Sequence, residues 1–160
     1  MKKIKLTQGK FVIVDDADFE YLNQWKWFLY KHPGCRTSYA VRDFWVDKKN
    51  KRVQMHRLIL NAPSNFQVDH ISKNGLDNRR RNLRLATASQ NKQNEGLRLN
   101  NTSGYKGVSW YTQQKKWGAN IWLNNKKYFL GLFLNKKEAA RIYNKKAKEY
   151  YSEYASFNQI

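Results

Sequence analysis

The sequence predicts an α+β protein built from two small modules, and three observations predict it. Between Lys10 and Val53, aromatic and β-branched residues recur in short runs broken by polar or turn-forming pieces, the texture of short strands. Between Met55 and Asn94 the pattern reads helix, strand, loop, strand, helix, and after Ser103 three strand-like runs precede one amphipathic helix. A chain of 160 residues suffices for one ordinary domain or two small ones. With 41% hydrophobic and 15% aromatic residues it can bury a core, which excludes a disordered basic tail.

The first stretch is a β-rich element. Its runs are Phe11-Val12-Ile13-Val14, Trp25 to Tyr30, Tyr39-Ala40-Val41 and Phe44-Trp45-Val46, separated by pieces such as Lys31-His32-Pro33-Gly34 and Asp47-Lys48-Lys49-Asn50. Trp25 and Trp27 share a side of any strand that holds both, and we read them as core. Cys35, the single cysteine, is a small packing residue in a loop; one thiol excludes an internal disulfide framework and a Cys-based zinc finger.

The central stretch is polar. Met55 to Asn61 reads as a short helix, Gln67 to Ile71 as a strand, Ser72 to Arg81 as a turn-rich loop, Leu83 to Ala86 as a second strand and Ala88 to Asn94 as a helix. Thr87 and Gln90 have capping-box spacing, which starts that helix where the strand ends. Residues 96–102 are the linker between a first domain, 1–95, and a second, 103–160. The second has strand-like runs at Gly107 to Tyr111, Trp117 to Leu123 and Lys127 to Phe133. A helix follows, with Asn135 and Glu138 as a second capping box and Ala139, Tyr143, Ala147 and Tyr151 as its apolar stripe.

Charge sets the functional expectation. The chain has 31 Lys+Arg against 12 Asp+Glu, a formal net charge of +19, so its surface attracts polyanions: nucleic acid first, an anionic membrane second. Residues 1–54 carry 12 basic and 6 acidic side chains, 55–95 carry 7 and 3, and 96–160 carry 12 and 3, so the last segment, at +9, is the most cationic. No apolar run approaches the roughly 18 residues a bilayer span needs, and the lysine-rich start lacks the apolar core of a signal peptide. The expectation is a protein that stays in the cytoplasm of its host cell, a bacterial one, without secretion and without a membrane or an obligate protein partner.

Within the central stretch, Asp69 closes one strand and Asn91 stands in the first turn of a helix. If strand, loop, strand and helix fold together, the two can face each other. Two oxygen ligands suit a hard cation such as magnesium, which keeps most of its water. His70, next to Asp69, supplies a base that takes a proton from water near neutral pH. Adjacent strand residues point to opposite faces, so the pair needs a strand end or a twist to serve one site.

The pattern Asp69-His70, twelve residues to Asn82 of Asn-Leu-Arg and nine more to Asn91 of Ser-Gln-Asn, resembles the HNH nuclease motif of phage and intron homing endonucleases, with the lead-in His56-Arg57-Leu58-Ile59. The resemblance implies a ββα-metal motif over residues 66–94. It makes His70 the general base, Asp69 and Asn91 the ligands of Mg2+ or Mn2+, and Asn82 the residue that braces the loop and orients His70. His56, Arg57, Arg79, Arg80 and Arg84 are expected to contact DNA. Residue 91 is Asn where many members have His, which bears on metal preference.

The last stretch has its own signature: Ser103-Gly104-Tyr105-Lys106-Gly107-Val108, Trp117-Gly118-Ala119-Asn120-Ile121, Leu130-Gly131-Leu132-Phe133 and the closing Tyr154-Ala155-Ser156-Phe157-Asn158. It resembles the DNA-binding domain of plant ethylene-response transcription factors, which also occurs fused to HNH nucleases in phage. That implies a three-stranded antiparallel sheet packed on one helix, its open face in the major groove of double-stranded DNA. Alternation puts Asn120, Trp122, Lys127 and Phe129 outward, with Lys106, Ser109 and Tyr111 at the matching first-strand positions. The plant domains carry Arg at several of these positions, so their site preference does not carry over.

The reading is a metal-dependent HNH endonuclease of homing type, cutting near a site held by its second domain. The alternatives are a DNA-binding regulator with a decayed nuclease site and an RNA-binding protein that stacks bases on its aromatic residues.

Overall fold

The computed structural model describes residues 1–33 and 37–160, so the reading of Cys35 lies outside the described residues. The chain forms two compact units, Met1–Asn91 and Lys92–Ile160, in a mixed α/β arrangement of small sheets and few helices.

In the first unit, β1 (Lys2–Lys5) pairs antiparallel with β2 (Phe11–Val14), with Ile4 opposite Val12. Alternation buries Ile4, Val12 and Val14 and leaves the lysines in water. Helix α1 (Asp16–Asn23) buries Asp18 and Leu22, one turn apart, and carries Asp16 and Asp18 in its first turn, where the helix dipole favours anions. Next come β3 (Phe28–Tyr30), β4 (Tyr39–Val46) and β5 (Lys49–Gln54), one antiparallel sheet with β4 central. The β4–β5 turn is Asp47-Lys48, with φ of 49° and 60° at its two residues, the twist a two-residue hairpin requires.

Three sequence expectations change here. No strand holds both tryptophans: β3 starts at Phe28, while Trp27 is fully buried with its indole N–H donating to Leu22 O at 2.8 Å, and half-buried Trp25 packs edge-on beside it. The runs at residues 39–41 and 44–46 are one strand. The turn expected over residues 47–50 is confined to its first half, because Lys49 and Asn50 already pair with Val46 and Trp45.

Helix α2 (Met55–Ile59) follows β5 directly, and then come β6 (Gln67–His70), β7 (Leu83–Ala86) and α3 (Ala88–Asn94). Met55, Ile59, Val68 and Leu83 join Ile4, Leu6, Val12, Val14, Leu22 and Trp27 in one core.

In the second unit β8 (Val108–Tyr111), β9 (Lys116–Leu123) and β10 (Lys126–Phe133) form an antiparallel sheet with β9 central. Helix α4 (Lys136–Tyr151) lays Ala139, Ala140, Tyr143, Ala147 and Tyr151 against Val108, Ala119 and Ile121. Its N-cap Asn135 accepts from Lys137 N at 2.8 Å. Asn158 closes the unit with its carboxamide, accepting from Lys106 N at 2.6 Å and donating to Lys106 O at 3.1 Å. Among the described residues no helix is long and apolar enough to cross a membrane.

Candidate active site

The site is built on the β6–β7 hairpin and the helix that follows it. The strands pair with Gln67 opposite Ala86, Asp69 opposite Arg84 and His70 opposite Leu83. Thr87 and Gln90 then cap α3 reciprocally: Gln90 N donates to Thr87 Oγ1 at 3.2 Å and Thr87 N to Gln90 Oε1 at 2.8 Å. This cap starts the helix immediately after β7 and brings Asn91 back over β6, where its amide N–H donates to Gln67 Oε1 at 2.5 Å. Gln67 and Asp69 are two residues apart on one strand and share a face, so Asn91 and Asp69 stand on the same side of the hairpin. Arg84 is also there, its Nε and Nη2 at 2.8 and 2.7 Å from Asp69 Oδ2.

His70 ends β6 on the other face, where Val68 enters the core. Its Nε2 meets Asn78 Oδ1 at 2.8 Å, and its ring lies 5.0 Å from His56 and 5.7 Å from Tyr39. Burial lowers the His70 pKa, against the opposing pull of the Asn78 hydrogen bond and the charges of Asp69 and Asp77. His56 is 4% exposed and its pKa falls to about 3, chiefly through burial, with neighbouring His70 and Arg57 adding to the shift. The His56 ring packs edge-on beside that of His70. Its Nε2 meets Gln54 Oε1 at 3.1 Å, and its Nδ1 has no hydrogen-bond partner among the described residues.

The loop between the strands is held from inside. Asn82 donates from Nδ2 to Asp77 O at 2.7 Å and accepts from Ser72 N at 2.9 Å, bracing both ends of the turn. The side chain that bonds His70 is Asn78, fully buried and tied to the sheet through its N–H to Ile13 O at 2.8 Å. Sequence reasoning missed Asn78, which stands among polar loop residues with nothing in its spacing to separate it from them. Gly75 passes so close to β4 that a Cβ there would sit 2.4 Å from Ser38 O.

Each arginine expected to meet DNA also has a partner within the first unit. Arg57 donates to the carbonyls of Ala62, Pro63 and Phe66, Arg79 pairs with Asp77, and Arg80 forks onto Asp18 at 2.7 and 2.9 Å. Arg80 leaves 55% of its side chain exposed, whereas Arg84 leaves 13%.

In the second unit, the register places Ser109, Tyr111, Asn120, Trp122, Lys127 and Phe129 on the face of the sheet away from α4. Trp122 and Phe129 are more than half exposed, while Asn120 is covered by the Tyr111 hydroxyl at 3.3 Å. Lys106 is not part of this face: it lies before β8, and its ammonium donates to Gln93 O at 2.7 Å and to Glu95 O.

The model of the HNH endonuclease family matches residues 61–93, the hairpin and helix described above. An uncharacterized HNH endonuclease of Acanthamoeba polyphaga mimivirus is 30% identical over 159 residues, which cover 96% of this chain and 77% of that protein. Protein 3.8 of Escherichia phage T7 is 35% identical over 66 residues, covering 41% of this chain and 54% of that protein. No solved structure matches the chain.

Proposed function

Because the chain belongs to the HNH endonuclease family, we propose that it hydrolyses phosphodiester bonds in double-stranded DNA with Mg2+ or Mn2+, near a site held by residues 103–158. The observation that carries the reading is the placing of Asp69 and Asn91 on one face of a hairpin whose other face presents a neutral imidazole.

The donor set fits a hard cation. Asp69 offers a carboxylate, and Asn91 and Gln67 offer amide oxygens; among the described residues no group of three or more His, Cys, Asp or Glu comes together. Asp69 and Asn91 would hold the cation, which when bound supplies positive charge to the scissile phosphate and the leaving 3′ oxygen. The chain's own residues do the rest. With Nε2–H donating to Asn78 Oδ1, the lone pair of His70 is on Nδ1, the atom that takes the proton from water. Burial keeps that ring in its basic form at neutral pH. Asn82 fixes the loop, so the Asn78 contact keeps its place. Since Asp69 and His70 leave the strand on opposite faces, the scissile phosphate belongs at the end of β6, where both sides are within reach.

One observation favours a second reading, a DNA-binding regulator with a decayed nuclease site: Arg84 neutralises the Asp69 carboxylate. Supercoiled plasmid incubated with the protein in Mg2+, in Mn2+ and in a chelator separates the two. The nuclease reading expects open-circle or linear product with a divalent ion only, and a loss on the order of 10²–10⁴-fold in His70→Ala with duplex affinity unchanged. Tight binding without cleavage under every condition leaves the regulator.

A further inference from the structure

The β4–β5 hairpin has two unlike faces. Beyond its pairing with β3, which reaches only Tyr39 to Val41, the hairpin runs on as a two-stranded ribbon to its Asp47-Lys48 turn. One face carries Asp43, Trp45, Asn50 and Arg52, where Arg52 is already neutralised by the Asp43 carboxylate at 2.7 and 2.8 Å and lies over the Tyr30 ring. The register puts Arg42, Phe44, Lys49 and Lys51 on the other face, which bears no carboxylate. Lys49 and Lys51 are exposed. Arg42 lies 4.1 Å over Trp25 and 5.3 Å over Phe44; its Nε is buried and has no hydrogen-bond partner among the described residues. Tyr21, 53% exposed, extends the strip on the far side of Trp25, edge-on at 4.8 Å.

We propose that this face, Tyr21, Trp25, Arg42, Phe44, Lys49 and Lys51, is a docking strip for the sugar-phosphate backbone of duplex DNA. The inference rests on the reading of the protein as a DNA nuclease and adds to it a contact surface inside the first unit. Charge complementarity selects the occupant: among the described residues three cations share this face without an ion-pair partner, in a unit where most described arginines are tied to carboxylates or carbonyls. Lys49 and Lys51, two residues apart on a strand, stand about 6.8 Å from each other, comparable to the step between successive phosphates of one strand. A guanidinium stacked on an aromatic ring loses little entropy on meeting a phosphate. The contacts go to the backbone, so the strip adds affinity and register without sequence preference.

The test measures affinity of the full-length protein for a duplex across a salt series in chelator, where cleavage plays no part. The Lys49→Ala/Lys51→Ala variant is compared with Lys3→Ala/Lys5→Ala, which removes the same charge at the same spacing from exposed positions of β1. Loss of two phosphate contacts flattens the slope of log affinity against log salt by about 1.8, at about 0.9 per contact; the β1 variant is expected to move it by less than about half of one contact. Equal flattening in both, or none in the first, overturns the strip while leaving the nuclease reading intact. If the first variant loses affinity for single strands but not for duplex, the assigned occupant is wrong. A wild-type protein that binds no duplex overturns both.

Discussion

The fully buried Asn78 meets His70 Nε2 through its Oδ1 at 2.8 Å, and in the proposed site this bond sets which nitrogen carries the proton. Removing it leaves the imidazole in place and frees its orientation. Asn78→Ala is therefore expected to lower cleavage about 10–100-fold while duplex affinity stays unchanged; wild-type turnover would remove Asn78 from the site. Asp69→Ala and Asn91→Ala should each raise the Mg2+ concentration needed for cleavage, and Asn91→His should shift preference toward manganese or nickel, since imidazole is a softer donor than an amide oxygen. Wild-type metal titrations in all three would place the ligands elsewhere. His56 gives the first unit a pH dependence. Its folded pKa of about 3 lies below the ordinary 6.5, so the fold favours the neutral ring; the contribution is complete above pH 6.5 and lost as pH falls through about 3. The urea midpoint of the wild type should fall steeply across that window, and that of His56→Leu less steeply.

The capping box fixes the helix that carries Asn91, and a glycine sets the packing of the second unit. Thr87→Ala removes an N-cap that accepts from Gln90 N and should cost about 1 kcal/mol, read by thermal unfolding, with α3 and hence Asn91 loosened. Gly107 has φ +75° and no room: a Cβ would lie 2.2 Å from the Tyr143 ring and 2.6 Å from Asn120 O. Gly107→Ala should destabilise the second unit by about 1–3 kcal/mol, whereas Gly104→Ala, with nothing within 4 Å, should cost only its positive-φ strain. The elements legible in the sequence are those with local signals. β7 and α3 could be bounded because alternation ends at Ala86 and a capping box begins at Thr87. β1 and β5 were illegible because they are made of lysines and polar residues that strands disfavour; pairing with β2 and β4 holds them. α1 went unseen because it is 8 residues long and buries just Asp18 and Leu22. The spacing of Asp69, His70, Asn82 and Asn91 could be read directly, but the contacts of Asn78 and His56 arise from chain segments far apart in sequence, and no local pattern encodes them.

At the scale of the whole molecule, charge and core are divided differently. The described residues of the first core run from Ile4 to Leu83, whereas 12 of the chain's 31 basic residues lie beyond residue 95 against 3 acidic ones. A chain ending at Asn94 keeps that entire core, the hairpin and all of α3, so it should fold and retain divalent-dependent cleavage. It loses a +8 segment, 12 basic and 4 acidic residues over 95–160, and with it the sheet face bearing Trp122, Lys127 and Phe129, so its affinity for duplex should fall and its salt slope flatten by about 0.9 for each phosphate contact removed. Substitutions in the full chain separate the two losses. Lys127 is a flexible point charge, and Lys127→Ala should weaken binding to specific and random duplexes alike. Trp122, 58% exposed on the same face, offers a broad apolar surface to base edges, and Trp122→Ala should narrow the difference between the two duplexes. Binding of full-length and shortened protein to both duplexes across a salt series checks this, and an unchanged slope with unchanged discrimination would show that residues 103–158 do not hold the DNA.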